Sequence, residues 1–242
     1  MVNSVARAAE VLFFVSKSKC GSTLSDVSSQ LDIPKSTAFN IIHTLSEKRL
    51  LTITDARQLT VVLGPGIYEL AFNEISGSDT YSIVQPELAA LSAKLKKSTA
   101  FYQFSNDAYS LLCISPYPGT PYPNATVGQS IDVRTGLYGP VCLSVCAHRK
   151  SELTHGIRPE QAKRLCAHME RIRSRGYDML TCDHLHELYS LVVPVQGIAQ
   201  SCLGFICVYL LQPDTADAAF GGMVQTLQKA ASDMGTRLAL LA

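Results

Sequence analysis

Residues 23 to 51 hold two helical periods with only a few residues between them, and this closeness restricts the fold more tightly than any other feature of the 242-residue chain. Leu24, Val27 and Leu31 give a short first helix one apolar face. Thr23 and Asp26 form an [ST]-x-x-[DE] capping box, in which the hydroxyl accepts a first-turn N–H and the acid caps back. Asp32-Ile33 then turns the chain, and Pro34 suits the first position of the next helix, where a missing N–H costs nothing. In that helix Ala38, Ile41, Ile42 and Leu45 recur at i, i+3, i+4 and i+7, the spacing of one buried face. Two helices joined by so short a turn cross steeply, as in a helix-turn-helix. Upstream, Val5, Ala8, Ala9, Leu12 and Val15 predict a helix over about residues 4 to 17, ended by Lys19-Cys20-Gly21-Ser22. Downstream, Leu50 to Ile53 and Leu59 to Leu63 are β-rich runs around Thr54-Asp55-Ala56-Arg57-Gln58, which predicts a hairpin, or wing.

The outward side of the second helix carries Ser36, Asn40 and His43, flanked by Thr37 and Thr44, with Glu47 a turn further on. Its first three turns thus expose short hydrogen-bonding groups and no acid. Most amphipathic helices only pack, but a winged pair places its second helix in the major groove, where Ser, Thr and Asn can bond base edges or phosphates. Lys35 stands at the helix N-terminus, a natural phosphate contact, and Arg57 at the wing tip suits the DNA backbone or minor groove. The whole chain carries +1, which says little about partners. Residues 1 to 64, with basic Arg7, Lys17, Lys19, Lys35, Lys48, Arg49 and Arg57 against Glu10, Asp26, Asp32, Glu47 and Asp55, lean weakly toward a polyanion.

Gly64-Pro65-Gly66 stops this first unit. Ile67, Leu70, Ala71 and Ile75 then predict an amphipathic helix before Gly77-Ser78. The expected organisation is a winged helix-turn-helix domain over 1–64, a linker helix over 65–80 and a second domain over 81–242. Within the last, a helix runs through Val84, Leu88, Leu91 and Leu95, followed by strands Thr99 to Phe104 and Tyr109 to Ser115. Residues 116 to 123, PYPGTPYP, read as irregular. Helices are expected near Pro140 to Ala147 and from Pro159 to about Arg175, then strands Leu188 to Val195 and Leu203 to Leu211. A final helix repeats at Phe220, Val224, Leu227, Ala231, Met234, Leu238 and Leu241. This order predicts an α+β fold with one antiparallel sheet.

No run of 18 apolar residues and no signal-peptide pattern is present, so a cytoplasmic protein is expected, with no membrane partner. The eight cysteines then read as reduced thiols used as small apolar residues. Catalytic motifs are missing: there is no G-x-S-x-G, phosphate loop or G-x-G-x-x-G, and no His is tied to a nucleophile and an acid. Cys182, His184 and His186 would share one face of a strand and are suitable zinc ligands, but their spacing matches no zinc signature. Cys142 and Cys146, with His148 nearby, read as a buried helical stripe. Neither a metal nor a cofactor is expected.

Ser4-Val5-Ala6-Arg7-Ala8, Leu31 through Thr37, Leu45 with Leu50-Leu51, and Leu63-Gly64 resemble the IclR family of bacterial transcriptional regulators in order and spacing. The resemblance continues through Pro86-Glu87-Leu88 with Leu91, Val127-Gly128, Arg173 through Tyr177, and Val193-Pro194-Val195, and so covers nearly the whole chain. It implies a linker helix used in dimerisation, a C-terminal effector domain similar to GAF-type folds, and binding to operator DNA as a homodimer or dimer of dimers. It further implies control by a small molecule, often an organic or aromatic acid. The family's effector cavity maps onto Leu137, Tyr138, Gly139, Ser190, Cys207 and Tyr209. Its acid position falls near Leu180 or, with a gap, at Asp183, and Tyr209 is bulky, which points to a larger or less polar effector or to none. Two other readings stand beside this one: a small-molecule sensor whose N-terminal domain binds protein, and an enzyme using a thiol. Loss of activity on changing Cys207 but not Lys35 or Arg57 would mark the enzyme.

Overall fold

The structure, a computed structural model, describes residues 3–18, 20–105, 107–123, 125–146, 158–181, 188–198, 201–211 and 218–240. They fall into two compact units, Met1–Gly77 and Ser78–Ala242.

The first unit opens with α1 (Asn3–Ser16), α2 (Leu24–Gln30) and α3 (Lys35–Glu47). Both halves of the Thr23–Asp26 capping box form: the Asp26 N–H donates to the Thr23 hydroxyl, and the Thr23 N–H donates to the Asp26 carboxylate at 2.9 Å. Asp32 takes the tight turn in the left-handed region at φ 49°, a conformation that Asp tolerates better than most residues. The turn is closed by the Ser28 hydroxyl, which donates to the Ile33 carbonyl at 2.7 Å. Pro34, with ψ 141°, is the N-cap of α3 instead of its first helical residue, so the helix begins one position later than its missing N–H suggested.

The wing is an antiparallel pair, β1 (Leu51–Asp55) and β2 (Thr60–Leu63), and Ser22 bridges to Val61 alongside it. The core joins Val11 and Val15 of α1, Val27 of α2, Ala38, Ile42 and Leu45 of α3, and Leu51 and Val61 of the wing. Gly64 closes the wing where only glycine fits, since a Cβ there would run into the Arg49 carbonyl. The helix that follows, α4 (Pro65–Gly77), finds no such core: Leu70 is 60% exposed and Tyr68 76%, and Ala71 is exposed too. Of the apolar stripe read from its sequence, Ile67 is half-buried, and Leu70 and Ala71 are left uncovered by the described residues.

The second unit is a six-stranded antiparallel sheet in the order β5-β4-β3-β8-β7-β6. Its strands are β3 (Thr99–Ser105), β4 (Ala108–Ser115), β5 (Ser130–Asp132), β6 (Asp178–Thr181), β7 (Leu188–Gln196) and β8 (Cys202–Leu211). Both faces are covered, which explains the nearly unbroken apolar runs of β7 and β8. On one face α5 (Asp79–Leu95) and α8 (Ala218–Ala239) pack Val84, Leu88, Leu227 and Met234 against Phe101, Val193 and Ile206. Pro86 lies on the exposed side of α5, so its missing N–H leaves the buried stripe intact. On the other face α6 (Gly139–Val145) and α7 (Pro159–Arg175) pack Cys142, Met169 and Ile172 against Tyr102, Val192 and Phe205.

The outermost strands β5 and β6 had no counterpart in the sequence reading. They are short and partly exposed, and their residues show no apolar alternation; their strand conformation comes from pairing with β4 and β7.

Candidate functional site

In the first unit, burial of Ala38, Ile42 and Leu45 sets which way α3 faces. Lys35, Ser36, Asn40, Thr44 and Glu47 are exposed, while Thr37 and His43 are half-buried. No acid stands in the first turn of α3. The Thr44 hydroxyl is turned back onto its own helix, donating to the Asn40 carbonyl at 2.8 Å, so it is less available to a partner than Ser36 or Asn40. Arg57 is exposed at the wing tip, and its N–H donates to the Asp55 carboxylate at 2.7 Å, an Asx-type turn that shapes the tip.

Two residues join this surface that sequence reasoning did not assign to it. Phe39 is 43% exposed on α3, its ring centroid 4.3 Å from that of His43. Arg7 of α1 borders a groove of about 530 Å³ whose other wall holds Thr37, Asn40 and Thr44. The apolar period through α3 conceals Phe39, because an aromatic residue between Ala38 and Ile42 reads as core. The only signal for it was its angle, about 100° from Ala38 on the helical wheel.

In the second unit, the face packed by α6 and α7 gathers most of the residues matched to an effector cavity. Tyr138, Gly139, Ser190, Cys207 and Tyr209 are buried, and Leu137 packs partly buried against them. Ser190 on β7 lies directly across from Tyr209 on β8, and Val192 across from Cys207, so these side chains share one face of the sheet. The Tyr138 and Ser190 hydroxyls are 3.0 Å apart, and those of Tyr102 and Tyr209 are 3.2 Å apart. Gly139 is required by close approach, since a Cβ there would strike the Val133 carbonyl. Leu180 stands on β6, where its carbonyl accepts from Ser190 at 3.4 Å; Asp183 lies outside the described residues.

Tyr102, Tyr109 and Phe205 complete this cluster and were not read as site residues. Tyr102 stacks on Phe205 at 5.0 Å, and the Tyr109 hydroxyl accepts from the Tyr138 N–H at 3.3 Å. Burial pushes the Tyr109 hydroxyl up to about 12, and burial, then Cys207, Tyr138 and Tyr102, raises that of Tyr209. The phenols are therefore neutral donors and acceptors at physiological pH. Among the described residues no charged side chain is buried, so this interior is a neutral, hydroxyl-rich aromatic surface.

Five described cysteines, at 113, 142, 146, 202 and 207, are buried thiols, and burial pushes Cys113 up to about 12, which keeps it protonated and unreactive. Among the described residues no group of three His, Cys, Asp or Glu could hold a metal. His148, Cys182, His184 and His186 lie outside them. No helix among the described residues is long and apolar enough to cross a membrane.

Residues 4–53 match the model of the IclR helix-turn-helix domain. No curated protein sequence matches the chain. Its fold is similar over nearly all its length to solved structures. One is an IclR transcriptional regulator from Alicyclobacillus acidocaldarius, at 20% identity and TM-score 0.78, covering 97% of this chain and 98% of that one. Another is an IclR homologue from Microbacterium hydrocarbonoxydans complexed with 4-hydroxybenzoate, at 18% identity and TM-score 0.75, covering 98% and 100%. A third is the IclR protein of Thermotoga maritima, at 15% identity and TM-score 0.71, covering 99% and 100%. At these identities the likeness is one of fold, and the family match rests on the helix-turn-helix itself. The chain thus carries an IclR-type helix-turn-helix domain at its front and, over nearly its whole length, the fold of solved IclR regulators.

Proposed function

We propose that this regulator reads a specific duplex operator through Ser36, Thr37, Asn40 and His43 of α3, anchored on phosphates by Lys35 and Arg57, and that a small aromatic effector tunes the binding. The observation that carries the first part is the polar side of α3, free of acid through its first three turns and held outward by three buried residues on its opposite side. Thr44 assists from the flank. The second part is supported by the neutral hydroxyl-bearing interior around Tyr102, Tyr138, Ser190 and Tyr209, with Leu137, Gly139 and Cys207 beside it. Such a surface suits an aromatic ring with hydroxyl or carboxyl substituents, and the homologue of similar fold was crystallised with 4-hydroxybenzoate. Asp183 is the candidate acid of that site.

The active form is a homodimer or dimer of dimers acting in the cytoplasm. Exposed Tyr68 and Leu70 on α4, with Val5 and Phe13 on α1, supply apolar surface for a second copy. Pairing would double the phosphate contacts of a weakly basic front and fix the half-site spacing. The domain limits follow the same logic: 1–64 reads DNA, 65–80 pairs subunits and 81–242 senses the effector.

The test is fluorescence anisotropy of the purified protein against tiled fragments of its own upstream intergenic DNA, at two salt concentrations with competitor. Saturable binding to one tile, shifted by a member of an aromatic-acid panel, is the expected result. Binding that is uniform across tiles and erased by salt would overturn the operator reading, and specific binding that no aromatic compound alters would overturn the effector reading alone.

A further inference from the structure

We infer that Phe39, packed against His43, is a specificity residue of α3 that reads the 5-methyl group of a thymine in the operator's major groove. This rests on the proposal that α3 is the reader helix. Among the described residues Phe39 is the only large apolar side chain exposed on α3, at 43%, and its outward neighbours Ser36 and Asn40 are polar. Single exposed aromatics are common on protein surfaces, so exposure alone carries nothing. What separates this one is its pairing: Phe39 and His43 stand one helical turn apart, with ring centroids 4.3 Å apart and planes at 44°. The contact restrains both rings before any ligand arrives, so little rotamer freedom is lost on docking.

The floor of the major groove presents one apolar group, the thymine C5-methyl, among hydrogen-bonding base edges. A phenyl ring brought into that groove either meets the methyl or shields a base-edge donor or acceptor from water without replacing its hydrogen bond. The first outcome is favourable and the second costs free energy. Phe39 thus both attracts a T·A pair and penalises a C·G pair, whose cytosine offers an amino group and no methyl at that place. Of the hydrogen-bonding side chains around it, only Thr37 and Thr44 carry a methyl, far smaller than the phenyl ring, so Phe39 offers most of the apolar contact.

The experiment begins with enrichment of duplexes from a randomised library by the full-length protein, followed by anisotropy on the enriched duplex with single thymines replaced by 2′-deoxyuridine. That replacement removes a methyl and leaves every hydrogen-bonding group in place. One thymine in each half-site is expected at which deoxyuridine weakens the wild type roughly fourfold, the effect of one buried methyl. Phe39→Ala should bind the thymine and deoxyuridine duplexes equally, while Phe39→Leu, still apolar, should keep part of the difference. If no thymine in the enriched duplex is sensitive in the wild type, or if Phe39→Ala keeps the same sensitivity, the methyl-reading role is wrong while α3 remains the reader. A library from which the wild type enriches no sequence would overturn the operator reading and this assignment with it.

Discussion

On the proposed reading, individual side chains on α3 and the wing divide the work of DNA binding by what each can touch. Asn40 is exposed and amide-bearing, able to pair bidentately with a base edge, whereas Arg57 offers charge to a backbone that is the same for every sequence. Asn40→Ala should therefore cost about 1–3 kcal/mol on the preferred duplex and relax selection at one base position. Arg57→Ala should weaken all duplexes alike and reduce the salt slope by about one. Both residues are exposed, so circular dichroism should not change, and anisotropy on specific and scrambled duplexes separates the two outcomes. In the second unit the buried tyrosines predict an alkaline response. Tyr109 ionises near 12 and Tyr209 above the ordinary range when folded, because burial opposes the charged form, but both ionise near pH 10 when unfolded. The unfolded state thus holds fewer protons above pH 10, and stability falls as pH rises from about 10 through the folded values. Tyr209→Phe should make that fall shallower in urea titrations between pH 9 and 11, and an equal slope would show that Tyr209 is not protected.

At the scale of elements, caps and pairings decide where each one stops. The Thr23 hydroxyl and N–H both hold the Asp26 carboxylate, and these bonds lower its pKa below the ordinary carboxylate value. A depressed carboxylate stabilises the fold fully above its unfolded pKa of about 4, and the contribution is lost as pH falls through the folded value. Thr23→Ala should accordingly lower Tm at neutral pH, with the gap to wild type closing on acidification toward pH 3. A gap that stays constant with pH would show that the acid takes no part in the cap. Much at this scale was readable in the chain. The period through Phe220, Val224, Leu227, Ala231, Met234 and Leu238 marked α8, and these side chains are buried. The short turn at Asp32 marked the crossing of α2 and α3. Strands β5 and β6 were not readable, because a strand of three or four partly exposed residues carries no internal alternation and takes its shape from its partner.

For the whole molecule, the proposed assembly through α4 is the property that a single chain expresses least. Leu70, 60% exposed on α4, makes a direct test: Leu70→Glu should shift the oligomer toward monomer in analytical ultracentrifugation and weaken operator binding along with it, while the monomer's circular dichroism stays the same. An unaltered oligomer would place the subunit contact elsewhere. By itself the sequence determined the kinds and order of the principal elements, the acid-free first turns on the outward side of α3 and the charge of the wing tip. All of these follow from spacings shorter than one helix or one hairpin, where side-chain direction repeats with a known period. Only the tertiary structure decided that Tyr102, Tyr109, Tyr138, Ser190 and Tyr209 meet in one buried cluster, because strand register joins residues as far apart as 102 and 209. It likewise decided that the apolar stripe of α4 stays exposed at Leu70 and Ala71, since an amphipathic period states that a face needs covering and leaves open what covers it.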